Sequence, residues 1–281
     1  MAVKIITDSL SDITEDYAKE LGITVVPLTV IFGHEQYLDR VTITTDQFYD
    51  RLVNDSVWPT TTQPTPAAFG EVYNELAKET DEILVITLSS VLSGTYESAM
   101  SAKNLVKEGC RVEVIDSRTV AGGLGLIVIA AVNAAKAGAN LDELVELVHS
   151  AMDRTHFIIY FETLTYLAKG GRIGKAKELL GSVLSIKQIL TIKDGGIAPL
   201  TRKRSLAAGM DYLYNFVTGF ADIEALGVEY TTTKDVADNL AERMSSVFTK
   251  GPIFRSIVSP VLGVHGGPGA IAVTVLEAEK K

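Results

Sequence analysis

The sequence contains too little cysteine for several classes of protein. Among its 281 residues there is one cysteine, Cys110, so no disulfide can form within the chain and no two cysteines stand at a metal-binding spacing. Residues 1–9 (MAVKIITDS) lack the separate basic region, apolar core and cleavage site of a secretory signal. We therefore interpret these residues as the start of a first strand, and we expect a cytoplasmic protein without a metal site.

Long apolar runs and an excess of positive charge are also missing. The most apolar segment, residues 120–132 (VAGGLGLIVIAAV), has 13 residues, fewer than the roughly 18 of a membrane span. We expect a buried helix there, no membrane span, and at most a transient contact with a membrane surface. The 26 Lys and Arg residues against 35 Asp and Glu give a net charge of −9, which argues against a nucleic-acid partner but is compatible with a small anion at a local site.

The chain is long enough for two domains, and 47% of its residues are hydrophobic, enough for a substantial core. Its first half alternates short β-branched runs with helical segments, which predicts a parallel sheet flanked by helices. The predicted strands are 4–7, 24–32, 83–87 and 111–115.

Local signals mark the ends of helices in this first half. The TTDQ stretch (44–47) has capping-box spacing, and the TPAAF stretch (65–69) places proline at the first helical position after a threonine. Both predict helix starts. Gly22 and Gly109 each follow a helical pattern, and we predict that they are helix C-caps.

The pattern changes after about residue 155. The stretch QILTIKDGGIAPLTRKR (188–204) has two alternating runs joined by Asp-Gly-Gly, which predicts an antiparallel hairpin. Further strands are predicted at 157–161, 224–230, 253–258 and 270–276, and helices at 205–217 and 234–248. The sequence therefore predicts a two-domain α/β protein, with a parallel-sheet domain at 1–155 and a domain with an antiparallel or mixed sheet at 156–281.

Four polar stretches lie at predicted element boundaries: TDSLSD (7–12), TTTQPT (60–65), SSVLSGT (89–95) and VHGGPGA (264–270). The third raises a question, because one helix cap needs one hydroxyl and this stretch has four, on Ser89, Ser90, Ser93 and Thr95. The free N–H groups at a helix start also attract a carboxylate or phosphate, and Gly94 would let the anion approach the backbone. Helix capping and turn formation are the alternative interpretation of the first three stretches, and a structural histidine is the alternative for the fourth.

Ser93 and His265 also raise the possibility of a serine-dependent acyl hydrolase or acyltransferase. The nucleophile motif G-x-S-x-G is absent, since the sequence before Gly94 reads Val91-Leu92-Ser93. The GGRIGKA stretch (170–176) lacks the spacing of a phosphate-binding loop, so no ATP site is predicted in this chain.

Seven motifs in order resemble those of the bacterial DegV family across essentially the whole chain: VKIITDSLSDI, TTTQPTP, LSSVLSGTY, VIDSRTVAGGLG, YLAKGGRIGKA, KQILTIKDGGI and VHGGPGA. The resemblance implies a two-domain α/β protein that holds a long-chain fatty acid in a tunnel between its domains. It also implies that the protein presents the carboxylate to a separate ATP-dependent fatty acid kinase. The fatty acid would then be a ligand, with no cofactor on this chain and ATP on the partner kinase.

The same resemblance assigns residues to the carboxylate site. Thr61 and Thr62 match its T-[ST]-Q-P motif, Ser93 and the Gly94 amide match LSGT, and His265 matches its C-terminal histidine. Arg172, in the GGR turn, is expected near the carboxylate, because Arg and Lys offset the charge that phosphoryl transfer builds.

A second basic cluster, Arg202, Lys203 and Arg204, is expected to dock an acidic surface of the kinase. The alternative for this cluster is an ordinary solvated face.

Overall fold

The computed structural model describes residues 3–179 and 186–279. The described α-helices are α1 (Glu15–Leu21), α2 (Thr45–Asn54), α3 (Pro66–Leu76), α4 (Thr95–Ala102), α5 (Gly122–Lys136), α6 (Leu141–Arg154), α7 (Thr165–Lys169), α8 (Leu206–Val217), α9 (Lys234–Met244) and α10 (Pro260–Gly266). The described strands are β1 (Lys4–Asp8), β2 (Ile23–Val26), β3 (Thr29–Phe32), β4 (Glu35–Leu38), β5 (Thr60–Thr62), β6 (Glu82–Thr87), β7 (Arg111–Asp116), β8 (Thr155–Phe161), β9 (Lys187–Lys193), β10 (Gly196–Lys203), β11 (Ile223–Tyr230), β12 (Phe254–Ile257) and β13 (Ile271–Glu277).

The first half is built on a four-stranded parallel sheet in the order β2-β1-β6-β7. Its central strands are buried on both faces rather than alternately, as expected for a parallel sheet covered by helices on each side. The predicted parallel-sheet α/β unit is confirmed.

The second half is built on a six-stranded sheet in the order β10-β9-β8-β13-β11-β12. Its pairs are antiparallel except for β11 with β12, so the predicted antiparallel or mixed sheet is confirmed as mixed. The predicted hairpin is β9 and β10, joined by Asp194 and Gly195, both of which have positive φ. Positive φ at both turn residues is the geometry of the type I′ turn, which Asp-Gly favours.

The prediction of one strand at 24–32 is wrong. The chain leaves the parallel sheet after Val26, because Pro27 has no N–H to donate to a continuing ladder. β3 instead pairs antiparallel with β4 and β5 in a separate three-stranded sheet. This small sheet contacts α10 of the second half, and the sequence did not predict it.

The predicted helix boundaries are mostly confirmed. Thr44 makes the full capping box with Gln47, and Gly22 ends α1 in the left-handed conformation. Thr65 caps α3 ahead of its proline. The prediction for Gly109 is wrong, because Gly109 has φ +94° in a turn four residues beyond the short 3-10 helix Lys103–Leu105.

The segment 120–132 forms part of α5, which confirms the predicted buried helix. α5 packs against strands of both large sheets, and a single apolar core includes residues from both halves of the chain. α6 ends at Arg154 and β8 begins at Thr155, where the sheet type changes; the domain division at 155/156 stays a prediction. Within the described residues, no helix has both the length and the apolarity that crossing a membrane requires.

Candidate functional site

An apolar cleft lies between the two halves. Each half contributes to its wall, with Leu10, Leu88 and Val120 from the first half and Phe157, Ile159 and Ala272 among those from the second. The space between the atoms around this cleft, including its open mouth, is about 890 Å³. This volume and lining fit a site for a mostly apolar small molecule.

Polar side chains from four separate segments gather at one end of the cleft. We use the name polar mouth for the group Thr61, Gln63, Ser93, Arg172 and His265. Thr62 borders the cleft as well. Six residues were expected at the carboxylate site from the sequence. Five of them line this one cleft, and the sixth, Gly94, does not.

A hydrogen bond between Thr61 and His265 joins the two halves at the polar mouth. Thr61 Oγ1 lies 3.0 Å from His265 Nε2, although the residues are 204 positions apart in the chain. Successive side chains of β5 point to opposite faces, so Thr61 turns toward α10 while Thr62 turns away and contacts Gln63 O at 3.5 Å. His265 lies in the last turn of α10.

The imidazole of His265 is held in a largely buried position. Burial, and then the nearby Arg172 guanidinium, lower the pKa of His265 to about 4, so the ring is neutral at pH 7. Its Nδ1 has no hydrogen-bond partner among the described residues. Gly170 allows this packing, because a Cβ there would lie closer than 3.0 Å to His265 Nδ1.

Ser93 borders the cleft just before α4. Its hydroxyl lies 2.9 Å from Thr95 Oγ1 and makes no cap bond, because Gly94 is the N-cap of α4 and the helix has no side-chain cap. The amide of Gln63 lies over Gly94, whose absent Cβ would be 3.0 Å from Gln63 Nε2. The expected contact of the Gly94 amide with a ligand stays a prediction.

Ser89 and Ser90, the other hydroxyls of this stretch, have structural partners. Ser89 Oγ donates to Gly195 O at 2.7 Å, which ties the first half to the β9–β10 turn. Ser90 Oγ donates to Asp116 Oδ2 at 2.6 Å and its amide to Asp116 Oδ1 at 3.2 Å. Two of the four hydroxyls therefore join neighbouring loops.

Arg172 lies at the exposed side of the polar mouth. Its Nη1 donates to Gly170 O at 2.9 Å and its Nε to Leu92 O at 3.3 Å, and Nη2 has no hydrogen-bond partner in the part of the chain that the structure describes. A guanidinium anchored to backbone carbonyls keeps its full charge available for an anion.

The cluster of Arg202, Lys203 and Arg204 lies at the far end of β10. Ile197 of the same strand borders the cleft, and Arg202 is five residues further on, about 17 Å along the strand. Lys203 Nζ lies 4.3 Å from the centre of the Tyr212 ring, whereas Arg202 and Arg204 are exposed. These three residues are not part of the polar mouth.

The TDSLSD stretch (7–12) serves the fold rather than the mouth. Asp8 accepts from Leu10 N at 3.0 Å and Leu88 N at 2.7 Å, and Ser9 Oγ donates to Asp39 Oδ2 at 2.9 Å. The capping interpretation is correct for Asp8, which caps the short helix Ser9–Ser11, whereas Thr14 caps α1.

The geometry gives little support to serine-dependent hydrolysis. His265 Nε2 is paired with Thr61 rather than with Ser93, and no carboxylate orients its Nδ1 within the described residues. A serine nucleophile needs a base within hydrogen-bond reach and a group that orients the base. Within residues 3–179 and 186–279, no group of three His, Cys, Asp or Glu side chains is arranged to hold a metal ion.

Sequence reasoning missed two kinds of residue in this site. Gln63 belongs to the quoted TTQP motif but was assigned no role, and it borders the cleft. The apolar wall carries no pattern that distinguishes it from ordinary core. Small residues such as Ala121, Ala270 and Ala272 leave the space, and only the folded structure shows it.

These features define a class of α/β protein in which a parallel and a mixed sheet enclose an apolar cleft with a hydrogen-bonding mouth. Residues 2–278 match the family model described as "Uncharacterised protein, DegV family". A DegV domain-containing protein of Caldanaerobacter subterraneus subsp. tengcongensis is 36% identical over 275 residues, which cover 96% of this chain and 97% of the relative. The chain therefore belongs to the DegV family.

Solved structures agree in fold over the whole chain. A DegV family protein from Thermus thermophilus, whose structure is described as fatty acid binding, has a TM-score of 0.89 at 28% identity and covers 99% of this chain and 100% of its own. A stearic acid-binding protein from Eubacterium ventriosum has a TM-score of 0.89 at 26% identity and covers 98% of each chain.

Proposed function

We propose that this protein binds a long-chain fatty acid, with the acyl chain in the apolar cleft and the carboxylate at the polar mouth. The observation that carries the proposal is the combination of an apolar cavity with hydroxyl, imidazole and guanidinium groups that lie close together on its wall. The fatty acids bound by the Thermus and Eubacterium relatives support the same ligand class.

The polar mouth has suitable donors for a carboxylate. A buried anion needs several hydrogen bonds, because an unpaired one is very costly. Thr61 and Ser93 have hydroxyl donors, and Arg172 has a fixed positive charge. Because His265 is neutral at pH 7, its Nε2 can accept the Thr61 proton, which leaves Thr61 only lone pairs to face a carboxylate, or donate to Thr61 Oγ1, which frees the Thr61 proton for the carboxylate.

The second arrangement suits an anion and assigns His265 a role without direct contact. With Nε2 protonated, the chain of donors runs from imidazole to Thr61 to carboxylate, and each bond strengthens the next. We therefore propose that His265 orients the Thr61 hydroxyl toward the ligand.

The first test is the content of the purified protein. Denaturing it and analysing the extract by mass spectrometry should release fatty acid in near-stoichiometric amount. An empty protein that hydrolyses esters only when Ser93 is present would instead support the hydrolase.

Two conservative variants then test the mouth. Thr61→Val and Ser93→Ala each remove one hydroxyl, and a hydrogen bond to a charged group is worth roughly 1.5–3 kcal/mol. Each variant should raise the dissociation constant for a fatty acid about 10- to 150-fold with little change in melting temperature. Thr60→Val is the matched control, because Thr60 lies on the same strand but does not border the cleft. Equal losses in Thr60→Val and Thr61→Val would contradict the carboxylate role.

We further propose that the protein presents the bound carboxylate to a fatty acid kinase, which would transfer phosphate from ATP to make an acyl phosphate. The exposure of Arg172 at the polar mouth supports this, since a partner reaching the carboxylate would meet that guanidinium. The cluster of Arg202, Lys203 and Arg204 would dock an acidic surface of the kinase.

Kinase-dependent phosphorylation of lipid-loaded protein tests this step. Arg172→Ala and Arg202→Ala should each reduce acyl-phosphate formation while fatty acid stays bound, and rising salt should weaken the kinase contact. Arg111→Ala is the control, because Arg111 begins β7, whereas the cleft residue Val120 follows the other end of that strand. If Arg172→Ala and Arg202→Ala both form acyl phosphate at the wild-type rate, the proposed docking role is excluded.

A further inference from the structure

A cluster of buried charged groups lies behind the cleft, at the junction of the two halves. Asp8, Asp12, Asp39 and Glu229 are each at most 1% exposed, and the Arg40 side chain is 14% exposed. Three of these carboxyls, those of Asp12, Asp39 and Glu229, interact with the Arg40 charge in a dry environment, where an isolated carboxylate is very costly. The fatty acid site uses none of these side chains.

Asp12 and Glu229 each have one oxygen fixed by the backbone of a neighbouring segment. Ser259 N donates to Asp12 Oδ1 at 2.9 Å, and Gly122 N donates to Glu229 Oε2 at 2.6 Å. Gly122 allows this approach, since a Cβ there would lie 2.6 Å from Glu229 Oε2. Each carboxyl thus binds the half of the protein to which it does not belong.

The second oxygens of these two carboxyls point to a shared proton. Asp12 Oδ2 and Glu229 Oε1 are both buried without a hydrogen-bond partner within the described residues, and the charge of Asp12 acts on Glu229. Two neighbouring buried carboxylates repel each other, and neither could donate to the other. A proton on one of the two groups removes the repulsion and provides a donor.

The surroundings indicate which group holds the proton. Arg40 Nη2 lies 3.4 Å from Asp12 Oδ1, so its charge favours the anion on Asp12. Burial, followed by the Asp12 charge, raises the pKa of Glu229 well above its ordinary value. Burial also raises the pKa of Asp12, but Arg40 opposes that change.

We propose that Glu229 is protonated at neutral pH and donates to the Asp12 carboxylate, forming a proton-dependent joint between the two halves. The joint is next to the cleft, because Ala121 and Val258, the neighbours of Gly122 and Ser259, border it. Ionisation of Glu229 would place two adjacent anions in this dry junction and loosen it.

The remaining groups around the joint titrate differently. Burial keeps the pKa of Tyr49 well above its ordinary value. Burial raises the pKa of Asp8 and of Asp39 to about 7. The effect of Glu229 must therefore be isolated by comparing variants at the same pH.

Glu229→Gln is the decisive variant, because glutamine has nearly the shape of the protonated acid and its amide can donate to Asp12. Each proton held only by the folded state lowers the folding equilibrium constant tenfold per pH unit. We compare the folding equilibrium constant of the wild type with that of Glu229→Gln. The ratio of the first to the second should fall about tenfold per pH unit as pH rises toward the pKa of Glu229. Glu242→Gln, on the exposed face of α9, is the control and should show a constant ratio.

Asp12→Asn distinguishes the donor from the acceptor. This change removes the carboxylate that pairs with Arg40, so it should lower the melting temperature at every pH, whereas Glu229→Gln should be tolerated. The reverse result would place the proton on Asp12 and overturn the assignment.

Infrared spectroscopy tests the wild-type protein without relying on a folded variant. At pH 8 the wild type should show the C=O band of a protonated carboxylic acid, shifted in D2O, which is absent from Glu229→Gln and present in Glu242→Gln. Absence of this band from the wild type would overturn the proposal. Neither the comparison of folding constants nor the infrared spectrum requires a bound fatty acid. Failure of the fatty acid proposal would therefore leave the test of the Glu229 proton unaffected.

Discussion

Gly170→Ala tests whether His265 must stay in place for the polar mouth to work. Gly170 follows α7 with ordinary helical angles, φ −74° and ψ −7°, so its backbone tolerates alanine. The added Cβ would nevertheless meet His265 Nδ1 and Cε1 at 3.0 Å or closer. Because ordinary contacts between heavy atoms lie near 3.5–4.0 Å, the imidazole must move by roughly 1 Å.

The magnitude follows from the Thr61–His265 bond. At 3.0 Å, it would exceed hydrogen-bond length after a movement of that size away from Thr61. Overpacking costs about 1–3 kcal/mol of folding free energy, and loss of the ordered Thr61 donor removes about 1.5–3 kcal/mol from carboxylate binding. The dissociation constant should therefore rise about 10- to 150-fold, although Gly170 itself does not border the cleft.

Isothermal titration of delipidated protein with a fatty acid measures the affinity, and the imidazole resonances of His265 report its movement. Gly251→Ala is the control, because a Cβ at Gly251 meets nothing within 4 Å and its φ is ordinary. Unchanged affinity together with a shifted His265 resonance would refute the role of His265 in orienting Thr61.

Two further predictions concern pH and the far end of the cleft. In ligand-free protein the free energy of unfolding should fall as pH rises from about 4.5 to 7, because three buried carboxyls take up protons on folding: Asp8 and Asp39, with pKa values of about 7, and Glu229, whose pKa burial raises well above its ordinary value. His265, whose pKa is lowered to about 4, opposes this with one proton below about pH 6.5, so the net slope there is about 2.7 kcal/mol per pH unit and should fall to about 1.4 kcal/mol per pH unit in Asp39→Asn, as measured by urea unfolding. Phe157 borders both the cleft and a groove that includes Thr119 and Gly195, so Phe157→Ala should join the two spaces. Mass spectrometry of the co-purified fatty acids should then show longer chains. An unchanged distribution of chain lengths would place the end of the ligand elsewhere.

Features that depend on neighbouring residues could be predicted from the sequence. The turn at Asp194 and Gly195 needs two positive φ values, and Asp-Gly provides both at low cost. The capping box at Thr44 is closed within four residues. Local chemistry determines each of these features, so the printed sequence was sufficient for them.

Features that depend on distant pairing could not be predicted in this way. The segment 24–32 is rich in β-branched residues, but whether it forms one strand or two depends on the partners available on each side of Pro27. β5 was not predicted, because a three-residue strand has too little pattern to show its pairing with β3. The third sheet follows from these two pairings.

The candidate site shows the same division at the level of single hydroxyls. Ser89 and Ser93 look alike in the sequence, four positions apart in a polar stretch before a helix. In the fold Ser89 is fully buried, and the backbone carbonyl of Gly195 accepts its proton, whereas Ser93 is only partly buried and borders the cleft beside another hydroxyl. A hydroxyl paired with a backbone carbonyl already has an acceptor that would be left unsatisfied if it turned to a ligand, which costs about 1–3 kcal/mol. A hydroxyl paired with another hydroxyl can rotate toward a carboxylate while its neighbour follows, so the long-range partner decides which serine is free to bind.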